Sequence, residues 1–320
     1  MNALRFVCAA WILPAGFSLI AFFGFFTNYT TDVFSRDGIA ARYERSVFRY
    51  RVLGRWLVET VSARFEQMPI AWEAPRALAV LDPTGNAATY WAYAFVHIVS
   101  TCIGCSLLLW SMRSRIAPVA AELLVVGVSM LLALSAFVVT PYDGLFFMWQ
   151  MAGLAVTVAL TPVRALAPLL VITLLASLTR ETAYFIPVFV LAVHYRRIVN
   201  RDRDARALFV TSSAAVVLTY AGLRSVLGWR GGSIYYAWQT AENLKWTSLA
   251  GTAMLAAALI LLCGSGPNRG SRLCYAALAV PYILFVHLFA EPWESRLWLP
   301  IIVPLTALLM IPDPDRPAAA

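Results

Sequence analysis

Charge is scarce in this chain. Asp, Glu, Lys and Arg make up 13% of its 320 residues, where an ordinary soluble domain carries about 25%. That shortage excludes an ordinary soluble fold. Glycine-rich phosphate loops are missing too: no GxGxxG or GxxxxGK[ST] pattern occurs, so neither common nucleotide cradle is available. Histidine is limited to His97, His194 and His287, scattered and without metal-ligand spacing. The five cysteines all lie inside or at the edge of apolar runs. Cys102 and Cys105 form a CxxC, but within Ile98–Leu107, where thiolates have no access to solvent. They read as small packing residues. No stretch alternates apolar and polar residues over about ten positions, which excludes a membrane β-barrel.

What the chain has instead is apolar sequence, 61% of all residues. Runs of membrane-spanning character recur at Phe6–Thr27, Thr89–Met112, Ile116–Thr140, Leu145–Leu160, Ala165–Leu178, Ala183–Tyr195, Leu208–Leu227, Leu249–Cys263, Leu273–Phe289 and Leu297–Ile311. The expected fold is therefore all-α: a polytopic transmembrane helical bundle of about ten spans, some short. No internal repeat or low-complexity linker divides it, so residues 1–320 read as a single integral-membrane domain. Residues 28–85 form its one long polar insertion, an extracytoplasmic loop after the first span. Phe6–Thr27 is too long for the apolar core of a signal peptide and has no small-x-small cleavage site. Proline ends the last helix at Pro312 because it has no amide to donate.

Arginine distribution sets the orientation. With the N-terminus in the cytoplasm, twelve basic residues fall in short cytoplasmic segments, among them Arg196, Arg197, Arg201, Arg203 and Arg206, and four fall outside. The net charge of +8 is thus a topology signal, and no nucleic-acid partner is implied. Both termini are expected in the cytoplasm of a bacterial inner membrane. This count depends on Thr179-Arg180-Glu181-Thr182. One helix through it would bury an Arg–Glu pair in hydrocarbon and move the arginine cluster outside, whereas two short helices meeting at an outer turn do neither.

On that topology the acids gather outside. Asp143, Glu181, Glu291 and Glu294 sit in short outer loops, with Arg180 and Arg296 beside them. Charges pinned at span ends are costly unless paired or functional. Arg180 and Glu181, being adjacent, diverge around a helix and should each find a partner in another outer loop, with Glu294, Arg296 and the arginines from Arg42 to Arg55 as the candidates. The first loop adds Asp32 and Asp37 and eight arginines. From Val47, Tyr50, Leu53, Leu57 and Val61 recur on one helical face and Arg42, Arg45 and Arg49 on another, as in a helix lying on the outer leaflet. Two readings of these arginines, with Arg51 and Arg55, stand side by side. They attract anionic lipid headgroups, or their planar forks hold a phosphate.

The Asp37-Gly38 pair with Tyr43 a few residues on, the segment Phe48-Arg-Tyr-Arg-Val-Leu53, the Arg180-Glu181-Thr182 turn and the Glu294-x-Arg296 turn resemble segments of the GT-C superfamily of integral-membrane glycosyltransferases. The resemblance covers the arrangement of most of the chain, with specific matches of a few residues each. It implies transfer of a sugar from a polyprenyl-phosphate-linked donor to an extracytoplasmic acceptor, a cell-envelope glycan or glycolipid. An acid of the first outer loop is the implied base: Asp37, with Asp32 as its rival. Arg49, Arg51, Arg55, Asp143, Arg180, Glu181, Glu294 and Arg296 are the implied substrate-binding set.

The chemistry holds together on its own terms. An acceptor hydroxyl needs a carboxylate to take its proton, and a departing phosphate needs cations. A divalent metal bridging phosphate to Asp143 or Glu181 is a candidate cofactor that nothing in the sequence specifies. Two other classes use the same features. A transporter or flippase also carries intramembrane charge and broken helices, and a non-catalytic subunit of an envelope assembly needs no site. An enzyme gathers Asp37, Glu181 and Arg296 at one outward cavity; a transporter holds its charges near the bilayer midplane.

Overall fold

The structure, a computed structural model, describes residues 2–24, 50–70, 72, 87–112, 116–135, 142–228, 245–265, 268–289 and 295–310. Every regular element among them is helical. Five helices are long and apolar enough to cross a membrane: α1 (Ala3–Phe23), α3 (Ala87–Met112), α6 (Pro162–Thr179), α9 (Arg203–Leu227) and α11 (Arg269–Phe289). The other five expected spans are also helical but shorter in their apolar part: α4 (Pro118–Ser135), α5 (Tyr142–Ala159), α7 (Phe185–Val193), α10 (Trp246–Gly264) and α12 (Ser295–Met310). Two further helices among the described residues are α2 (Val52–Glu66) and α8 (Tyr195–Val199).

Helix α1 widens to π-helical turns at Cys8–Ile12 and Ile20–Gly24. The first lies just before Pro14, whose ring meets the carbonyl four residues back in a regular helix; the wider turn makes room for it.

The centre of the bundle is the contact between α3 and α5. A Cβ at Gly104 of α3 would lie 2.6 Å from the Phe147 ring, and a Cβ at Gly144 of α5 would lie 2.8 Å from the His97 carbonyl oxygen. At Gly144 a backbone carbonyl leaves no room for a side chain, and at Gly104 the Phe147 ring fills the space with the Met148 Cα 3.2 Å away. Since His97 and Thr101 meet Gly144 while Gly104 meets Phe147 and Met148, α3 and α5 run parallel, and α4, which connects them in sequence, runs the other way.

Leu108, Leu109, Met151, Phe185, Phe189 and Tyr275 belong to the largest apolar cluster, which joins α3, α4, α5, α7, α11 and α12. A second cluster packs α2 and α1 on the first half of α3. A third holds α6, α7 and α9 against Phe146.

The chain does break at Arg180. Helix α6 ends at Thr179, Arg180 is extended (φ −159°, ψ 147°), and a 3-10 turn over Glu181–Tyr184 leads into α7. Adjacent residues show the direction of the helices on either side. Tyr50 contacts Gly228, just beyond the end of α9, and Arg51 contacts Glu181, just beyond the end of α6. Helices α6 and α9 therefore finish at the same end of the bundle, and the segment between them runs back.

The first-loop helix differs from expectation in start and in facing. It begins at Val52, and its buried stripe is Gly54, Val58 and Ser62, one position round from Leu53, Leu57 and Val61, which are half-buried. Small residues let α2 settle against α3, where the Ser62 and Thr89 hydroxyls are 2.7 Å apart. Arg42, Arg45 and Arg49 lie outside the described residues.

Candidate functional site

Three segments far apart in sequence meet at the end of the bundle where α5 begins and α6 and α9 finish. Asp143 is the second residue of α5, where a carboxylate complements the positive end of the helix dipole. Arg180 caps the end of α6 in extended conformation, which carries its side chain off that helix. Its guanidinium pairs with the Asp143 carboxylate, the two side chains being 5% and 3% exposed. It also lies 5.8 Å from the centre of the Phe146 ring. Water is excluded from this pair, so each charge depends on the other.

Glu181 turns the other way. Its Oε2 accepts from Nη2 of Arg51 at 3.3 Å, with Arg51 8% and Glu181 28% exposed. Arg51 is the residue before α2, and its neighbour Tyr50 donates from its hydroxyl to the Gly228 carbonyl at 2.6 Å. Arg224 of α9 lies 4.0 Å over the Tyr50 ring and donates to the Tyr220 hydroxyl at 2.7 Å. Residues 50 and 51 thus strap the start of α2 to α9 and to the Glu181 turn.

Arg180 and Glu181 do have partners in other segments, and Arg51 belongs to the arginine set expected to supply one. Of the sequence candidates, Arg51, Asp143, Arg180 and Glu181 come together here. Arg55 does not join them: it pairs with Glu59 at 2.6 Å on the exposed face of α2, the two side chains being 50% and 60% exposed. There it lines a cleft of about 180 Å³ with Ser62, Glu66, Thr89 and Tyr93. Asp32, Asp37, Arg49 and Glu294 lie outside the described residues, and the Arg296 side chain is likewise outside them. Among the described residues no group of three or more His, Cys, Asp or Glu could hold a metal ion. Asp143 and Glu181, the acids named for a bridging cation, each face a guanidinium.

Sequence reasoning gave no individual role to Tyr50, Arg224, Thr182 or Tyr184. Arg224 had a usable signal, a cation within an apolar run. Tyr184 and Thr182 had none. Both have buried oxygens without a hydrogen-bond partner, as does Oε1 of Glu181.

The opposite end of the bundle holds its charges differently. Arg5 pairs with Glu122 at 2.5 Å. Asp202 accepts from the Asp204 and Ala205 amides at the start of α9 and pairs with Arg197 at 2.6 Å. The Ala205 amide first, and then the Arg197 guanidinium, hold the Asp202 carboxyl below its ordinary value. Arg272, which falls between the apolar runs Leu249–Cys263 and Leu273–Phe289 in the sequence, is enclosed, and its guanidinium donates to the carbonyls of Leu262 and Ser265 at the end of α10. It caps that helix. At the far ends of the same two helices from Arg272, His287 of α11 lies 2.7 Å from the Thr252 hydroxyl of α10.

Together the fold and the charged ends are consistent with a multi-pass α-helical membrane protein. No family model matches the chain, and no curated protein or solved structure matches it.

Proposed function

We propose that the chain is a membrane glycosyltransferase that moves a sugar from a polyprenyl-phosphate-linked donor to an extracytoplasmic acceptor. In this reading all ten apolar helices cross or enter a bacterial inner membrane, both termini are cytoplasmic, and the Arg180 end faces outward. One observation carries it: Arg51, Asp143, Arg180 and Glu181, drawn from three separate segments, converge at that end. They sit at helix termini, where a lipid headgroup lies, and a transporter would hold such charges near mid-membrane. The resemblance to GT-C enzymes in the first loop supports the same conclusion.

The division of labour follows from the chemistry. The acceptor hydroxyl's oxygen forms the new bond to the anomeric carbon. The bond from that carbon to the phosphate oxygen breaks, and its electron pair leaves with the phosphate. Asp37 takes the hydroxyl proton, with Asp32 as the alternative base. Arg51, with Arg49 and Arg296, offsets the charge growing on the phosphate. The Arg180–Asp143 pair holds the turn that presents Glu181.

The test is transfer by purified protein with donor binding followed in parallel. Asp37→Asn keeps the side chain's shape and loses the proton acceptor. Transfer falls by about 10²–10⁴-fold while donor binding persists. Arg51→Ala weakens donor binding. Loss of transfer in Asp32→Asn alone moves the base to Asp32; wild-type transfer in both variants removes the first loop from the chemistry.

A further inference from the structure

The turn from Glu181 to Tyr184 holds three buried polar atoms with no hydrogen-bond partner: Glu181 Oε1, Thr182 Oγ1 and the Tyr184 hydroxyl. Buried oxygens in a folded protein are almost always satisfied, and each exception calls for a partner. Three within four consecutive residues form a local deficit. Thr182 is only 6% exposed, so bulk water does not meet its need.

The geometry of the turn puts two of these side chains on one edge. A 3-10 helix has about three residues per turn, so side chains at i and i+3 eclipse. Glu181 and Tyr184 occupy those positions. The other oxygen of Glu181 is fixed by Arg51 at 3.3 Å, which leaves Oε1 as the one that seeks a donor. Tyr184 is half-buried and stacked on the fully buried Phe185 at 4.3 Å, and Tyr282 of α11 lies 6.3 Å from Tyr184.

We infer that this turn is a subsite for a neutral, hydroxyl-bearing sugar ring. An ionised carboxylate is an acceptor only, and a phenol both donates and accepts. Together they match vicinal hydroxyl groups, each of which donates and accepts. The apolar face of a sugar ring packs on aromatic carbon. The carboxylate also sets specificity. A uronic acid or a phosphate placed against Glu181 meets a like charge at close range, so the charged part of a donor belongs on the Arg51 side and the sugar on the Tyr184 side. The inference rests on the glycosyltransferase reading for the identity of the ligand and adds to it the class of sugar.

The experiment measures binding to the full chain in lipid nanodiscs, with polyprenyl phosphate alone, polyprenyl-phosphate glucose and polyprenyl-phosphate glucuronic acid as probes. The wild type binds the glucose form more tightly than either other probe. Tyr184→Phe keeps the ring and removes the hydroxyl. It loses about 3–10-fold in affinity for the glucose form and none for polyprenyl phosphate, with an unchanged melting temperature. Glu181→Gln narrows the discrimination between the glucose and glucuronic acid forms. No preference for the glucose form in the wild type, or full preference in Tyr184→Phe, overturns the subsite. Turnover is measured separately. Sugar preference without transfer leaves the subsite standing and removes the transferase, and transfer with an unaltered Tyr184→Phe does the reverse.

Discussion

Arg180 and Asp143, thirty-seven residues apart, form an ion pair that water does not reach and that joins the end of α6 to the first turn of α5. Removing one partner of such a pair leaves a buried charge uncompensated. Asp143→Ala should therefore cost about 3–5 kcal/mol. Replacing both residues by apolar ones of similar volume, Asp143→Leu with Arg180→Met, should cost less than the single change. Unfolding in detergent, followed by circular dichroism, compares the two. A single variant as stable as the wild type would show that the pair does not hold these helices.

Gly144 marks the closest approach of α5 to α3. A Cβ there would stand 2.7 Å from Thr101 Oγ1 and 2.8 Å from the His97 carbonyl. The threonine can rotate away, but a helix carbonyl cannot. Gly144→Ala should destabilise by about 1–3 kcal/mol, and Gly127→Ala, which meets nothing within 4 Å, should be neutral or mildly stabilising. Equal melting temperatures for the two variants would contradict this account of the α3–α5 contact.

Asp202 gives a pH dependence of known sign. Its carboxyl is held below its ordinary value by the Ala205 amide and the Arg197 guanidinium. The unfolded chain therefore binds the proton more readily than the folded one. The stabilisation is complete above the ordinary carboxylate range and is lost as pH falls through the lowered folded value. Melting temperatures of the wild type and Asp202→Asn should differ at neutral pH and converge as the medium is acidified below about pH 4. A gap that is constant with pH would mean that the charge is not what matters.

The helices themselves were legible in the sequence. Every apolar run holds one, because length and hydropathy alone require the backbone to satisfy itself. The break at Arg180 was legible for a similar reason, since burying an Arg–Glu pair mid-span is too costly. What could not be read was contact. Periodicity picked Tyr50, Leu53, Leu57 and Val61 as the apolar face of a helix lying on the outer leaflet; Tyr50 is buried, but within α2 the closest packing is made by Gly54, Val58 and Ser62. Hydropathy does not score the smallness that allows two backbones to approach. Likewise Arg272 counts as a loop cation by sequence, yet it caps α10. Only tertiary structure decides whether an arginine faces water or a neighbouring helix end. In the site, Glu181 meets a first-loop arginine as expected, while Arg180 meets Asp143, a partner that nothing local specifies.

Sidedness is open to direct labelling. Thr179 is fully buried and unsuitable for it. Glu59, on the exposed face of α2, and Asn200, at the opposite end, are exposed. In a background with the five native cysteines changed to serine, Glu59→Cys should react with an impermeant maleimide on intact cells. Asn200→Cys should react only after permeabilisation. The reverse pattern would invert the topology and place the Arg180 end in the cytoplasm.

The most direct measurement is consumption of a lipid-linked sugar. Purified protein in nanodiscs is incubated with a panel of polyprenyl-phosphate sugars and extracted envelope acceptor, and the lipids are followed by mass spectrometry. The account predicts that one neutral-sugar donor disappears in a protein-dependent way, that polyprenyl phosphate accumulates in equal amount, and that the sugar appears on the acceptor. Binding of a donor that stays intact, or its movement between leaflets without cleavage, would contradict it.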